Sequence, residues 1–114
     1  MRPKGLRVAR MNEAVKEALS VILLTRTQDP RLRACIVTQV ICTPDLSLAT
    51  VFYRAMSPAD EHAALAAALE NAAPYLRREV QADLKMRTAP ELRFRYDELP
   101  DEAARIEHLL ETLP

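Results

Sequence analysis

At Asp29-Pro30 the spacing of apolar residues switches from three and four to two, so the residues before and after this point cannot share one kind of secondary structure. Before it, Val8, Met11, Val15, Ala18, Leu19 and Ile22 recur at helical steps between Leu6 and Leu23, while Arg10, Glu13 and Glu17 fall on the opposite side. That pattern predicts one amphipathic helix. It must stop before Pro30, because the residue ahead of a proline is pushed out of helical geometry. After it, Cys35 to Thr43 and Ser47 to Ala55 are rich in Val, Ile, Thr, Phe and Tyr, with turn chemistry in Thr43-Pro44-Asp45 between them. A hairpin of two strands is expected there. Two-residue alternation assigns Ala49, Val51 and Tyr53 to the core and leaves Thr50, Phe52 and Arg54 on the other face. A large apolar side chain at Phe52 then has three readings: a core contact, a dimer contact, or a platform for a stacked base.

Helical spacing returns after Ser57-Pro58-Ala59-Asp60, which reads as a helix start with Ser57 as cap, Pro58 in the first turn and Asp60 three positions after the cap. Leu65, Leu69, Ala72, Leu76, Val80 and Leu84 form one apolar stripe reaching to about Met86. Pro74 interrupts it. A proline there removes a backbone hydrogen bond and crowds the carbonyl four residues back, so a kink or break is expected near Ala72, Ala73 and Pro74. Beyond Pro90, Leu92, Phe94 and Tyr96 alternate with Arg93 and Arg95, a half-buried strand whose arginines face out. From Asp101 to Leu113, acids lead a stripe of Ile106, Leu109, Leu110 and Leu113, as in a terminal helix docked on the body. The expected order is α-β-β-α-kink-α-β-α in one α+β domain over residues 1–114, with a C-terminal helix at about 101–113.

Charge narrows the function. Net charge is zero, which argues against a generic polycation, yet the charge is divided into blocks. Residues 1–33 carry eight cations against three carboxylates and residues 71–95 carry six against three, while residues 34–70 and 96–114 are net acidic. Such a chain should have one basic side and one acidic side if its basic segments meet in space. No apolar run approaches the ~20 residues of a bilayer span, and Met1 to Arg10 lacks the apolar stretch of a signal peptide, so a cytoplasmic location is expected. Cys35 and Cys42, seven residues apart, should point to opposite faces of one regular strand and so neither pair nor share a metal. His62 and His108 have no Cys or carboxylate at ligand spacing, and Gly5 is the only glycine, which precludes a P-loop or a dinucleotide fingerprint. Asp97, Glu98, Asp101 and Glu102 cluster locally and read as turn and helix-start acids. Neither enzymatic chemistry nor a cofactor is expected.

What remains is binding. Arginine outnumbers lysine thirteen to three, and guanidinium groups both pair with phosphate and stack on bases. The candidate RNA-binding residues are Arg7, Arg10, Arg31, Arg33, Arg77, Arg78, Lys85, Arg87, Arg93 and Arg95. A rival reading is a protein-binding adaptor that uses a strand edge or the acidic C-terminal helix.

Several blocks resemble the ribosome-binding factor A family over nearly the whole chain. They are Asp29-Pro30-Arg31, Val37-Thr38-Gln39-Val40, Thr43-Pro44-Asp45-Leu46-Ser47, Ala49-Thr50-Val51-Phe52-Tyr53, Leu76-Arg77, Leu84-Lys85-Met86-Arg87 and Ala89-Pro90-Glu91-Leu92-Arg93-Phe94-Arg95-Tyr96-Asp97, followed by Ile106, Leu109 and Leu110. The resemblance implies a variant type II KH-like fold, in which a three-stranded sheet packs on helices and an interhelical kink replaces the Gly-X-X-Gly loop. It implies a monomeric, non-enzymatic factor without cofactor or membrane association. Its partners would be the maturing 30S subunit, its 16S rRNA and other assembly factors, its role late assembly including processing of the 16S rRNA 5′ end, and its phenotype growth in the cold. The family's kink commonly reads Ala-X-Gly, and here Ala72-Ala73-Pro74 puts proline in the glycine position.

Overall fold

Helix α1 spans Lys4–Thr25 and buries Val15, Leu19, Ile22 and Leu23, the inner side of the stripe, while Arg10, Glu13 and Glu17 lie in solvent. The computed structural model describes residues 4–98. The expected C-terminal helix, with Ile106, Leu109, Leu110 and Leu113, lies outside the described residues. A 3-10 turn over Pro30–Ala34 follows α1, capped by Asp29, whose side chain accepts from the Arg31 N–H. Strands β1 (Cys35–Cys42) and β2 (Leu48–Ala55) form the antiparallel hairpin. Helix α2 (His62–Asp83) then crosses to β3 (Glu91–Tyr96), which runs parallel to β2, giving a mixed sheet of order β1-β2-β3.

Both helices cover one side of the sheet. Ala49, Val51 and Tyr53 are buried against Leu65, Leu69, Leu76 and Val80 of α2 and against the α1 stripe, as the alternation predicts. Leu92 is buried with them, and Phe94 and Tyr96 pack against the same core at partial exposure. Tyr53 and Tyr96 meet edge to face at 5.6 Å, and the His62 ring stacks on Tyr96 at 5.3 Å. Removing one of the large buried leucines should cost about 2–5 kcal/mol, because this layer has little room to collapse.

Three local expectations are corrected. First, the helix does not begin at Ser57. A 3-10 turn over Ala59–Glu61 precedes α2, the Ser57 hydroxyl has no partner among the described residues, and the Ser57 carbonyl instead lies 3.0 Å from His62 Nε2. Second, of the kink or break expected at Ala72, Ala73 and Pro74, the break is absent: α2 runs as one helix through Pro74. Pro74 and Glu70, whose carbonyl loses its partner, are both exposed, so water satisfies the carbonyl and the buried stripe stays continuous. Third, Cys35 and Cys42 lie on the same face. The β1–β2 register shifts between Val37 and Gln39, so Thr38 is an extra residue that inverts the alternation beyond it. Cys35 therefore pairs with Ala55 and Cys42 with Ala49, both facing the helices. Both remain free thiols, separated by about 23 Å of strand at ~3.3 Å per residue.

The same bulge ties the sheet together. Thr38 Oγ1 donates to Asp97 Oδ2 at 2.7 Å and lies 3.2 Å from the Phe52 carbonyl, while the Asp97 N–H donates to the Tyr53 carbonyl at 2.7 Å. Asp97 is 5% exposed, so it is not a solvent-facing turn acid but a lock across all three strands. Its backbone carbonyl also accepts from Arg54 Nη1 at 3.2 Å.

Candidate nucleic-acid interface

The end of α2 builds a cation-rich groove. The helix stops at Asp83, and the next turn closes with Lys85 N–H donating to the Ala82 carbonyl and Met86 N–H to the Gln81 carbonyl. These two bonds make a Schellman cap, and its left-handed position, normally glycine, is filled by Lys85 at φ 52°. Two side chains of α2 then hold the connection to β3. Arg77 donates through Nη2 and Nε to the Ala89 carbonyl at 2.8 and 3.1 Å, and Gln81 Nε2 donates to the Arg87 carbonyl at 3.0 Å. A one-glycine chain therefore builds its tight loop from side-chain clamps rather than from permissive backbone.

Opposite this turn stands the β1–β2 loop. Thr43 N–H bonds the Leu48 carbonyl, Leu46 N–H bonds the Thr43 carbonyl, and Leu46 takes φ 59° while its side chain packs on the core. The Asp45 carboxylate accepts from the Thr43 hydroxyl at 2.7 Å and from the Ser47 hydroxyl and N–H at 2.8 and 3.1 Å. The Thr43 hydroxyl first, then those from Ser47, hold its carboxyl below the usual carboxylate range. Between the two loops and the first turns of α1 runs a groove of about 620 Å³, lined on its basic side by Arg7, Arg77, Lys85 and Arg87. Among the described residues Asp45 is its only carboxylate, and three hydrogen bonds to its Oδ1 hold it within its own loop. Arg10 adjoins on α1, sharing a second shallow hollow with Arg7. Among the described residues none of these five cations forms an ion pair.

The other candidate cations are not brought to this groove, so the expected single basic side is divided. Arg31 is locked to Asp29 in a fork at 2.7 Å, which raises its own pKa and lowers that of Asp29. It borders a hollow with Ser57, Glu61 and Leu65 beside the first turns of α2, and Arg33 lies on the same 3-10 turn. The 22 residues of α2 separate that end from the groove by about 33 Å. Arg78 is exposed on α2, and Arg93 and Arg95 project from the sheet face that the helices leave bare, as the alternation predicts.

Two arginines outside the expected set have structural roles. Arg26 pairs with Asp83 at 2.9 Å and Glu79 at 3.6 Å, joining the C-terminal ends of the helices, with the Tyr75 hydroxyl donating to the Arg26 carbonyl at 3.1 Å. Arg54 lies 5.8 Å over the Tyr96 ring. Its alternation with Phe52 placed it on the bare face, but nothing in the local pattern signals its bond to Asp97.

A mixed three-stranded sheet with its helices on one side, and a basic groove where the second helix turns back to the parallel strand, defines a KH-like α+β domain. The chain belongs to the ribosome-binding factor A family, whose model matches residues 7–110. That family is one of non-enzymatic ribosome-binding factors. A ribosome-binding factor A from Vesicomyosocius okutanii is 37% identical over 107 residues, spanning 94% of this chain and 92% of that protein. The crystal structure of ribosome-binding factor A from Thermus thermophilus superposes with a TM-score of 0.69 at 26% identity, covering 78% of this chain and 93% of that one. A homology model of the Thermus thermophilus factor, fitted into a cryo-EM map of its complex with the 30S subunit, gives a TM-score of 0.67 at 25% identity, over 82% of this chain and 98% of that one.

Proposed function

We propose that this chain binds the maturing 30S subunit in the bacterial cytoplasm, contacts its 16S rRNA through the groove of Arg7, Arg77, Lys85 and Arg87 with Arg10 beside it, and assists late maturation including processing of the 16S rRNA 5′ end. Membership of the ribosome-binding factor A family and the complex of the Thermus thermophilus relative with the 30S subunit support the partner. The observation that carries the surface is the convergence of cations from α1 and from the α2–β3 turn on one groove whose single carboxylate is held within its own loop. Phosphate contacts position such a protein without reading sequence, and the shape of folded rRNA supplies selectivity. Arg77 contributes charge while holding the loop, so it is a positioning residue as much as a contact. Arg93 and Arg95 form a separate surface, and Arg31 is neutralised by Asp29.

Sedimentation with purified subunits tests this. Arg7→Glu combined with Arg87→Glu should abolish co-sedimentation at moderate salt with the thermal midpoint unchanged, because neither side chain makes a hydrogen bond or ion pair with another described residue. Unchanged binding by a folded double variant would sink the assignment of the groove.

A further inference from the structure

The cationic groove contains one group that a phosphate backbone alone would avoid. Asp45 lines it together with Arg7, Arg77, Lys85 and Arg87, yet among the described residues none of these cations comes within ion-pair distance of the Asp45 carboxylate. The Thr43 hydroxyl, then the hydroxyl and N–H of Ser47, hold the group ionised instead, and all three bonds, at 2.7, 2.8 and 3.1 Å, end on Oδ1. Among the described residues Oδ2 accepts no hydrogen bond. The carboxylate is thus fixed in the wall of the groove through one oxygen, and the other is left to a ligand.

An ionised carboxylate in a phosphate-binding groove repels its ligand unless that ligand brings a hydrogen-bond donor to it. In RNA the donors are the ribose 2′-hydroxyl and the imino and amino groups of the bases. The imino and amino pair of guanine would engage both oxygens of a carboxylate, and here Oδ1 is already occupied by three donors. A single free acceptor fits a single donor. The 2′-hydroxyl accompanies every phosphate of an RNA strand, so cations that hold the phosphates bring it to Asp45 whatever the base. The groove also has an apolar wall in Leu46 and Met86, both half-buried, which suits the face of a sugar and not a phosphate.

Resting on the groove as the RNA contact, we propose that Asp45 sets its preference for ribose: Oδ2 accepts a hydrogen bond from a 2′-hydroxyl of a strand whose phosphates lie on Arg7, Lys85 and Arg87. The cations supply an attraction that any polyanion shares. Asp45 makes the groove reject a strand that lacks the donor, because its charge is then left unpaired beside phosphate.

Fluorescence anisotropy of the full chain at low salt, with a short oligouridylate and its 2′-fluoro counterpart, tests this. Fluorine keeps the sugar pucker of RNA and removes the donor, and uracil has no exocyclic amine. The hydroxyl form is expected to bind about tenfold more tightly. In Asp45→Asn, whose amide oxygen retains the Thr43 and Ser47 bonds, the preference should fall to about twofold or less. Equal affinity of the unsubstituted chain for the two oligomers overturns the proposal, and that comparison depends on no variant folding. A preference that survives Asp45→Asn undiminished overturns it too. So does a gain on changing uracil to cytosine that is lost in Asp45→Asn, since a base amine would then be the donor. Each of these results leaves the groove itself standing. Should Arg7→Glu with Arg87→Glu bind both oligomers as tightly as the unsubstituted chain, the groove is not the RNA contact, and that reading fails together with the role of Asp45.

Discussion

Lys85 carries two opposed demands at one residue. Its φ of 52° places a side chain in the left-handed region that the Schellman cap reserves for glycine, at a cost of roughly 1 kcal/mol, yet its ammonium lines the basic groove. Lys85→Gly should therefore raise stability by about 0.5–1 kcal/mol in urea unfolding while weakening association with 30S subunits, a split that a purely structural lysine would not produce. Asp97 offers the opposite case. Replacing it by alanine removes the 2.7 Å bond, leaves the Thr38 hydroxyl only the longer contact with the Phe52 carbonyl, and should cost about 1–3 kcal/mol, read as a lower urea midpoint. The cysteines are predicted to be inert. Burial pushes the Cys35 thiol up to about 12 and raises Cys42 as well, so at pH 8 a disulfide reagent should modify neither until denaturant is added, whereas a free thiol near ~8.5 reacts at once.

At the scale of elements, α2 is the one whose sequence and structure most differ. Pro74 lies inside a continuous helix, on its exposed side, where proline is about 3 kcal/mol less favourable than alanine in an unstrained host. Pro74→Ala should thus stabilise the domain by about 1–3 kcal/mol with its subunit binding intact, since Pro74 does not line the basic groove. Had the interruption formed a binding kink, the same substitution would lower affinity, and sedimentation separates the two outcomes. Leu76→Ala two residues on should cost about 2–5 kcal/mol, because Leu76 is fully buried under the sheet. The polar loops respond to pH. Asp29 and Asp45 both have depressed carboxyl pKa values, so their bonds contribute stability above the unfolded carboxylate pKa of about 4 and lose it as pH falls through their lower folded values. A shallow fall in the urea midpoint from about pH 5 to pH 3 should be smaller in Asp45→Asn.

For the whole molecule, electrostatics decide how it meets a subunit. Net charge is zero, so long-range attraction to RNA comes from the arrangement of charge and not from its total. Binding through four or five groove cations should weaken linearly with the logarithm of salt, with a slope of roughly 3 to 5 from the counterions released. Sedimentation with subunits across a salt series measures that slope, and Arg7→Glu should lower it by at least ~1. An interaction made through the backbone of a strand edge would be nearly insensitive to salt.

Much of the architecture was legible in the residues, and for a definite reason. The α1 stripe, the Ala49, Val51 and Tyr53 alternation and the outward Arg93 and Arg95 each depend on contacts repeated every two to four residues, so local spacing specifies them. Pairing across the sheet is not local. No spacing within β1 reveals that Thr38 is bulged, because the bulge is defined against β2 and secured by Asp97, far along the chain, and it alone turned both cysteines to one face. The division of the basic residues has the same origin. Their identities come from the sequence and their convergence from the chain path, which brings Arg7 beside Lys85 and Arg87 yet carries Arg31 and Arg33 to the opposite end of α2 and Arg31 into the reach of Asp29. Sequence determined which segments are helix and strand and which side of α1, α2, β2 and β3 faces the core, whereas only tertiary packing decided the facing of β1 beyond its bulge and which charges meet, because both depend on distance in space between residues that no local period relates.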